Sequence, residues 1–295
     1  MTGIALAALA LVLSRMVPPV LARARWLEHV PRAGVVLWQA VALAAVLAAV
    51  GAVLAAPEEL FRAYSARDGA RVVPVLLATA TVAAVGAAII VLRLAIIAVR
   101  LGLDTRRRRA RHTEMLDLLE GPSPNRVHVL AGPIPMAYCV PGHSGRVVLT
   151  EATVDVLDDA QVQAVIEHER AHLRARHDLV REAFTALHVA FPRVARSQVA
   201  RAAVDHLLEL LADDGALHRI PEADLRGALA VLSRNTGEPR TAARFRRLAG
   251  PQPSQGRRRL LAAATYLLAA AVLVVPTAAL AGPWLARATT AVLGG

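Results

Sequence analysis

A mainly helical membrane protein, with a small α+β segment inserted between its third and fourth spans, is the fold class this sequence predicts. Three observations carry it. The chain of 295 residues is 56% hydrophobic but only 3% aromatic, too apolar for a water-soluble domain of its length. Its apolar residues gather in four long runs nearly free of charge. Between the third and fourth runs lie the turn residues, short strand-like runs and amphipathic periodicities of a folded domain.

The first run, Met1 to Ala22, is the least regular, with Arg15 and Pro18-Pro19 in its second half. Val35 to Ala56 and Leu260 to Leu285 contain no charged residue, and each is long enough, at about 1.5 Å per residue, to cross a hydrocarbon core of about 30 Å. Val72 to Val99 is interrupted only by Arg93, near one end, from where a long side chain can reach water. The expected organisation is three spans at about 1–22, 34–56 and 72–99, a domain over 101–259, a fourth span over 260–285 and a short tail over 286–295.

Charge orients these spans. A secretory signal places positive charge ahead of its apolar run, whereas Arg15, Arg23, Arg25 and Arg32 follow this one, so an uncleaved anchor is expected. Arg100, Arg106 to Arg109, Arg111 and Arg257 to Arg259 flank the domain, while the Glu58–Arg71 loop carries acidic residues as well. The excess of arginine predicts that the Arg23–Arg32 loop and the domain are cytoplasmic, with both termini outside.

The formal charge of +11 needs no nucleic acid to account for it. All 34 basic residues are arginine, and many sit beside spans where anionic lipid head groups would meet them. Arg106 to Arg109 has no aromatic stacking partners nearby, so direct nucleic-acid binding is not expected. Cys139 is the sole cysteine, which excludes an intrachain disulfide; it falls in an apolar run, Met136 to Val140, as a small buried residue.

Inside the domain, His112 to Leu119 has helical spacing before Gly121-Pro122-Ser123-Pro124 breaks the chain. Arg126 to Leu130, Met136 to Val140 and Arg146 to Leu149 read as short strands, with Gly142-His143-Ser144-Gly145 as the turn between the last two. Asp158 with Gln161 reads as an N-cap and capping box, opening a helix to about His177. Leu179 to Phe191, Ser197 to Leu217 and Ala223 to Ser233 read as three further helices. The proline-bearing stretch Gly237 to Gly256 is expected to form the return to the membrane.

The helix after Asp158 carries His168-Glu169-Arg170-Ala171-His172. Positions i and i+4 are about 40° apart on a helix, so both imidazoles can bind one metal, with Glu169 on the flank of the same face. On the helical wheel Val162, Val165, Ile166 and Leu173 adjoin the histidines, while Gln163, Arg170 and Arg174 gather opposite, so the pair faces the core. A zinc site that keeps a position for water needs a third protein ligand. Glu209 and Asp213, again i and i+4, supply two carboxylates: one can bind the metal while the other accepts the free N–H of a ligating histidine. His206 shares their stripe and is a rival third ligand; His143, His188 and His218 are read as incidental, and His177 and Asp178 as helix-end or supporting residues.

The first motif followed some thirty-five residues later by Glu209, Ala212, Asp213 and Ala216 resembles the integral-membrane zinc metallopeptidases, of both the BlaR/MecR antirepressor type and the HtpX type. The resemblance implies a gluzincin-like α+β peptidase domain in which His168, His172 and Glu209 bind Zn2+, Glu169 is the general base and Asp213 supports a ligand. It also implies that Met136-Ala137-Tyr138 passes beside the cleft, where an extended substrate can add to its edge; an ordinary hairpin is the alternative. The BlaR/MecR type is closer over the whole chain, with Trp38-Gln39-Ala40 and Arg244-Phe245-Arg246-Arg247-Leu248 also familiar from such proteins. Its penicillin-binding sensor is not expected here, because about ten residues follow Leu285 and a chain without lysine has no Ser-x-x-Lys acylation site. The activity implied is hydrolysis of cytoplasmic protein substrates, with a winged-helix repressor as the expected target. An HtpX-like quality-control protease and a non-catalytic scaffold with a vestigial site are the alternatives.

Overall fold

The computed structural model describes residues 2–64, 72–120, 125–142, 145–192, 197–236 and 239–293. The chain break expected at 121–124, His143 with Ser144 in the expected turn, and residues 65–71 of the loop after the second span lie outside them. The described chain is mostly helical, with one small sheet.

Among the described residues four helices are long and apolar enough to cross a membrane: Gly3–Leu21, Pro31–Pro57, Val73–Leu118 and Gln255–Ala279 contain the qualifying segments. The first is built in pieces. Helix α1 (Thr2–Leu11) runs into a π-helical turn (Val12–Met16) holding Arg15, then α2 (Val17–Leu21). Pro18 removes an N–H and would press its ring on the carbonyl one turn back, and a widened turn is a usual way to absorb that. After a 3-10 turn at Arg25–His29, α3 (Pro31–Tyr64) forms the central span, packed on α1, on α4 (Val72–Glu120) and on α11 (Gln255–Leu293). Small residues allow the close approach: Ala44 and Ala48 are fully buried, and a Cβ on Gly86 of α4 would meet Val53 at 3.2 Å.

Two expectations about the spans change. The third span and the helix at His112 to Leu119 are one continuous helix of 49 residues. At about 1.5 Å per residue it outruns a membrane of about 30 Å by more than its own spanning length. Arginine is a good helix former, so the run Arg106 to Arg109 ends the hydrophobicity without ending the helix. Arg93 does not rely on water alone, since its Nε donates to the carbonyl of Ala190 at 2.8 Å. In the fourth span, α11 also runs past Leu285 into the expected tail.

The sheet comprises β1 (Val127–Leu130), β2 (Ala137–Val140) and β3 (Arg146–Thr150), ordered β1-β3-β2. β3 is central, parallel to β1 and antiparallel to β2. Val147, Val148 and Leu149 are therefore all buried, and β2 is left with one edge unpaired among the described strands. Six helices follow: α5 (Glu151–Val156), α6 (Asp159–Ala175), α7 (His177–Ala190), α8 (Ser197–Ala216), α9 (Glu222–Thr236) and α10 (Pro239–Ala249). Val165 and Ile166 of α6 pack with Val147, Leu149 and Ala228, joining the sheet to α6 and α9.

Helix α10 occupies much of the stretch from Gly237 to Gly256 expected to form the return to the membrane. Thr241, Phe245 and Leu248 fall at i, i+4 and i+7, with Thr241 and Leu248 buried and Phe245 packed against Leu225 and Leu229. Pro239 stands in the first turn, where a missing N–H costs nothing. Spans and domain share a core: Leu37 and Trp38 of α3, each 1% exposed, cluster with Phe184, Val204, Leu207 and Leu208 of α7 and α8.

Candidate metal centre

The zinc-motif helix starts as its sequence dictates. The Asp158 carboxylate accepts the N–H of Gln161 at 2.8 Å, although the Gln161 side chain lies beside Gly227 of α9 rather than closing a reciprocal box. The helix stops earlier than the expected His177. Arg176 adopts a left-handed conformation (φ 52°) that ends α6 after Ala175 and starts α7 at His177. Between these ends, Val165 and Ile166 face the sheet and α9, and His168 and His172 are buried where α6 meets α8.

Three side chains converge there. His168 Nε2 lies 3.3 Å from His172 Nε2 and 3.3 Å from Glu209 Oε2, and His172 Nε2 lies 3.5 Å from Glu209 Oε1. A tetrahedral zinc ion with bonds of about 2.0–2.1 Å separates its ligands by roughly 3.3–3.4 Å. The His168–His172 and His168–Glu209 separations thus already stand near the edge length of such a polyhedron, His172 approaches the other oxygen of Glu209, and a set of two imidazoles and one carboxylate suits zinc.

The remaining ring nitrogens are held from behind. Asp213 Oδ1 lies 3.0 Å from His168 Nδ1, and His177 Nδ1 lies 2.9 Å from His172 Nδ1. With each Nε2 turned to a metal, His168 donates to Asp213 and His172 donates to His177, which fixes both tautomers. Burial and the adjacent His172 push His177 down to about 3, so it stays neutral and can accept. The left-handed turn at Arg176 swings His177 back onto His172, so it is both a helix-end and a supporting residue. The rival ligand His206 points elsewhere, with Nε2 3.7 Å from Glu28. His218 binds the Asp214 carbonyl at 2.7 Å.

Two arginines complete the surroundings, and the sequence reading gave neither a role. Arg181 on α7 donates to Glu209 Oε1 at 2.6 Å and reaches Asp205 at 3.3 Å. Arg244 on α10 grips Asp213 through Nε (2.9 Å) and Nη2 (2.5 Å), with Nη1 3.4 Å from Glu209. Its Nη2 lies 3.0 and 3.2 Å from the two ring nitrogens of His168, too evenly placed to point along either lone pair. The available signal was Arg244 itself, a charge within the Thr241, Phe245, Leu248 stripe of an amphipathic helix. Arg181 is the i+4 neighbour of His177 on α7.

The electrostatics follow from this crowding. Burial alone would raise Glu209, but hydrogen bonds to His168 and His172 and their charges hold it well below the usual carboxylate range. Burial opposes the ionised Asp213 as well, yet the Arg244 charge and the His168 hydrogen bond bring it down to about 2. Both carboxylates are therefore anionic and available to a cation.

Glu169 faces a cleft of about 380 Å³ that also exposes His168, His172 and Glu209. β2 forms one wall through Met136 to Cys139, and Leu225, Leu229 and Leu232 of α9 supply an apolar wall. The Met136-Ala137-Tyr138 run therefore does border the cleft. Cys139 faces Glu169; burial and that carboxylate push its thiol up to about 12, which agrees with an unreactive residue. Arg109 ties the far half of α4 to α7 through Asp178 (3.0 Å) and Glu182 (2.5 Å).

Two buried histidines and a half-buried glutamate beside a carboxylate in an open cleft, on a chain with four membrane-length helices among its described residues, are compatible with the class of membrane zinc metallopeptidases. In agreement, residues 103–246 match peptidase family M48, a stretch running from the middle of α4 into α10 that includes every residue of this site. No curated protein and no solved structure matches the chain. The match supports zinc metalloprotease function without reaching the BlaR/MecR type.

Proposed function

We propose that the chain is a membrane-embedded zinc endopeptidase with a gluzincin-like site, in which His168, His172 and Glu209 hold the metal and Glu169 is the general base. The observation that carries this reading is the convergence of two imidazoles and one carboxylate, with the two Nε2 atoms 3.3 Å apart and 3.3 and 3.5 Å from the two oxygens of Glu209, backed by Asp213 and His177. Bound zinc supplies Lewis-acid polarisation of a carbonyl and makes water a nucleophile near neutral pH. The protein does the rest. Glu169 takes the proton of the attacking water and delivers it to the leaving amine. Asp213 and His177 keep both Nε2 lone pairs directed at the metal, and Arg181 and Arg244 hold the two carboxylates of α8 in place.

Its substrates are cytoplasmic proteins, with regulatory cleavage of a winged-helix repressor as the first reading. Broad quality control of membrane proteins is the second, favoured by the unpaired edge of β2 beside the cleft, which reads backbone more than side chains. Substrate trapping separates them. Glu169→Gln protein, purified from cells beside a Glu209→Ala control, should retain a single DNA-binding repressor identified by mass spectrometry. A broad set of misfolded membrane proteins would support quality control instead.

A further inference from the structure

The α7–α8 hairpin reaches between the spans. Ala190, the last residue of α7, accepts a hydrogen bond from Arg93, which lies within the apolar run of α4. Next to that end, Phe184, Leu187 and Phe191 with Ala200 of α8 close one side of a cavity of about 550 Å³. Its other walls come from α1 and the π-turn, from α3 through Val41, Ala45, Val46 and Ala49, and from Ile90 of α4.

This space offers water little to bind. The walls are aliphatic and aromatic; the Ser14 hydroxyl is already engaged, donating to the Leu11 carbonyl at 3.3 Å, and Trp38 Nε1, which has no hydrogen-bond partner among the described residues, is itself buried from any accessible surface. A cavity without two to four free polar partners excludes ordered water. Three of its walls are helices long and apolar enough to cross a membrane, so the medium that meets it is hydrocarbon.

We propose that this cavity binds one acyl chain of a bilayer phospholipid. The proposal rests on reading these helices as membrane spans and is independent of the peptidase chemistry. Size selects the occupant. A helix about 10 Å across fills roughly 400 Å³ per turn, so the cavity admits little more than one turn of a partner's transmembrane helix, whereas single extended ligands commonly occupy sites of about 300–1,000 Å³. The wall that meets the chain is the far end of the helix that starts at His177 and carries Arg181, so lipid and metal centre contact opposite ends of α7.

The test uses the full chain in nanodiscs of phosphatidylcholine bearing a photoactivatable diazirine in one acyl chain, with labelled residues mapped by mass spectrometry. Label is expected on Leu187, Val46 and Ala49 as well as on outward-facing Ile4 and Val82. Filling the cavity with Ala49→Phe, or separately with Ala45→Phe, should abolish the inner labels and spare the outer ones, whose persistence reports a folded chain. Label confined to outward-facing residues, or inner label unchanged in both folded variants, would overturn the proposal. Because the readout is lipid contact, loss of hydrolysis in any variant bears on the peptidase reading alone.

Discussion

Asp213 Oδ1 stands 3.0 Å from His168 Nδ1 while both oxygens of the same carboxylate are gripped by Arg244, so one fully buried aspartate serves an imidazole of the proposed metal site and a guanidinium together. Replacing it with asparagine keeps the shape but removes the charge that the imidazole N–H and Arg244 both require. Asp213→Asn should bind zinc about 10–100-fold more weakly. Competition against a chelator of known affinity measures this directly, and unchanged affinity would remove Asp213 from its supporting role.

Arg244 and Asp213 should also be coupled in stability. Arg244→Ala leaves a buried carboxylate without its counterion and should destabilise the domain by roughly 3–5 kcal/mol. Removing both charges should cost less than the sum of the single changes. Denaturant titration of the three variants in detergent provides the cycle; strict additivity would mean that the pair is not a unit.

Zinc affinity should depend on pH with a definite sign. Burial and the Arg244 charge press His168 toward its neutral form, but hydrogen bonds to Asp213 and Glu209 outweigh them and raise it to about 9. In protein stripped of metal by a chelator, His168 is then protonated at neutral pH and must lose that proton to bind zinc. Affinity should climb about tenfold per pH unit below that value and level off above it. A flat profile across the same range would contradict the assignment.

Much of the site was legible in the sequence because its signals are local. The histidine pair, its flanking Glu169 and the Asp158 cap all reside within one helix, and Glu209 with Asp213 repeat the i, i+4 spacing on another. What escaped depends on distance or on breakers misread. The three prolines between Gly237 and Gly256 hide the helix that Pro239 opens, and with it the position of Arg244 on α10. The bond from Arg93 to Ala190 joins residues 97 apart, and the parallel pairing of β1 with β3 bypasses β2. Neither leaves a trace in local periodicity.

Orientation is the fourth expectation. Arginine bias predicts a cytoplasmic domain, so a cysteine introduced at exposed Gln163 of α6, in a Cys139→Ala background, should resist a membrane-impermeant thiol reagent in intact cells and react after permeabilisation. Labelling of intact cells would reverse the topology and remove cytoplasmic substrates from consideration.

Zinc content and peptide hydrolysis, measured side by side on wild-type, Glu169→Gln and Glu209→Ala protein, test the central claim most directly. Wild type and Glu169→Gln should each hold about one zinc per chain, with hydrolysis in the latter lowered by roughly 10²–10⁴-fold, and Glu209→Ala should lose both. Full hydrolysis by Glu169→Gln, or stoichiometric zinc in Glu209→Ala, would contradict the account.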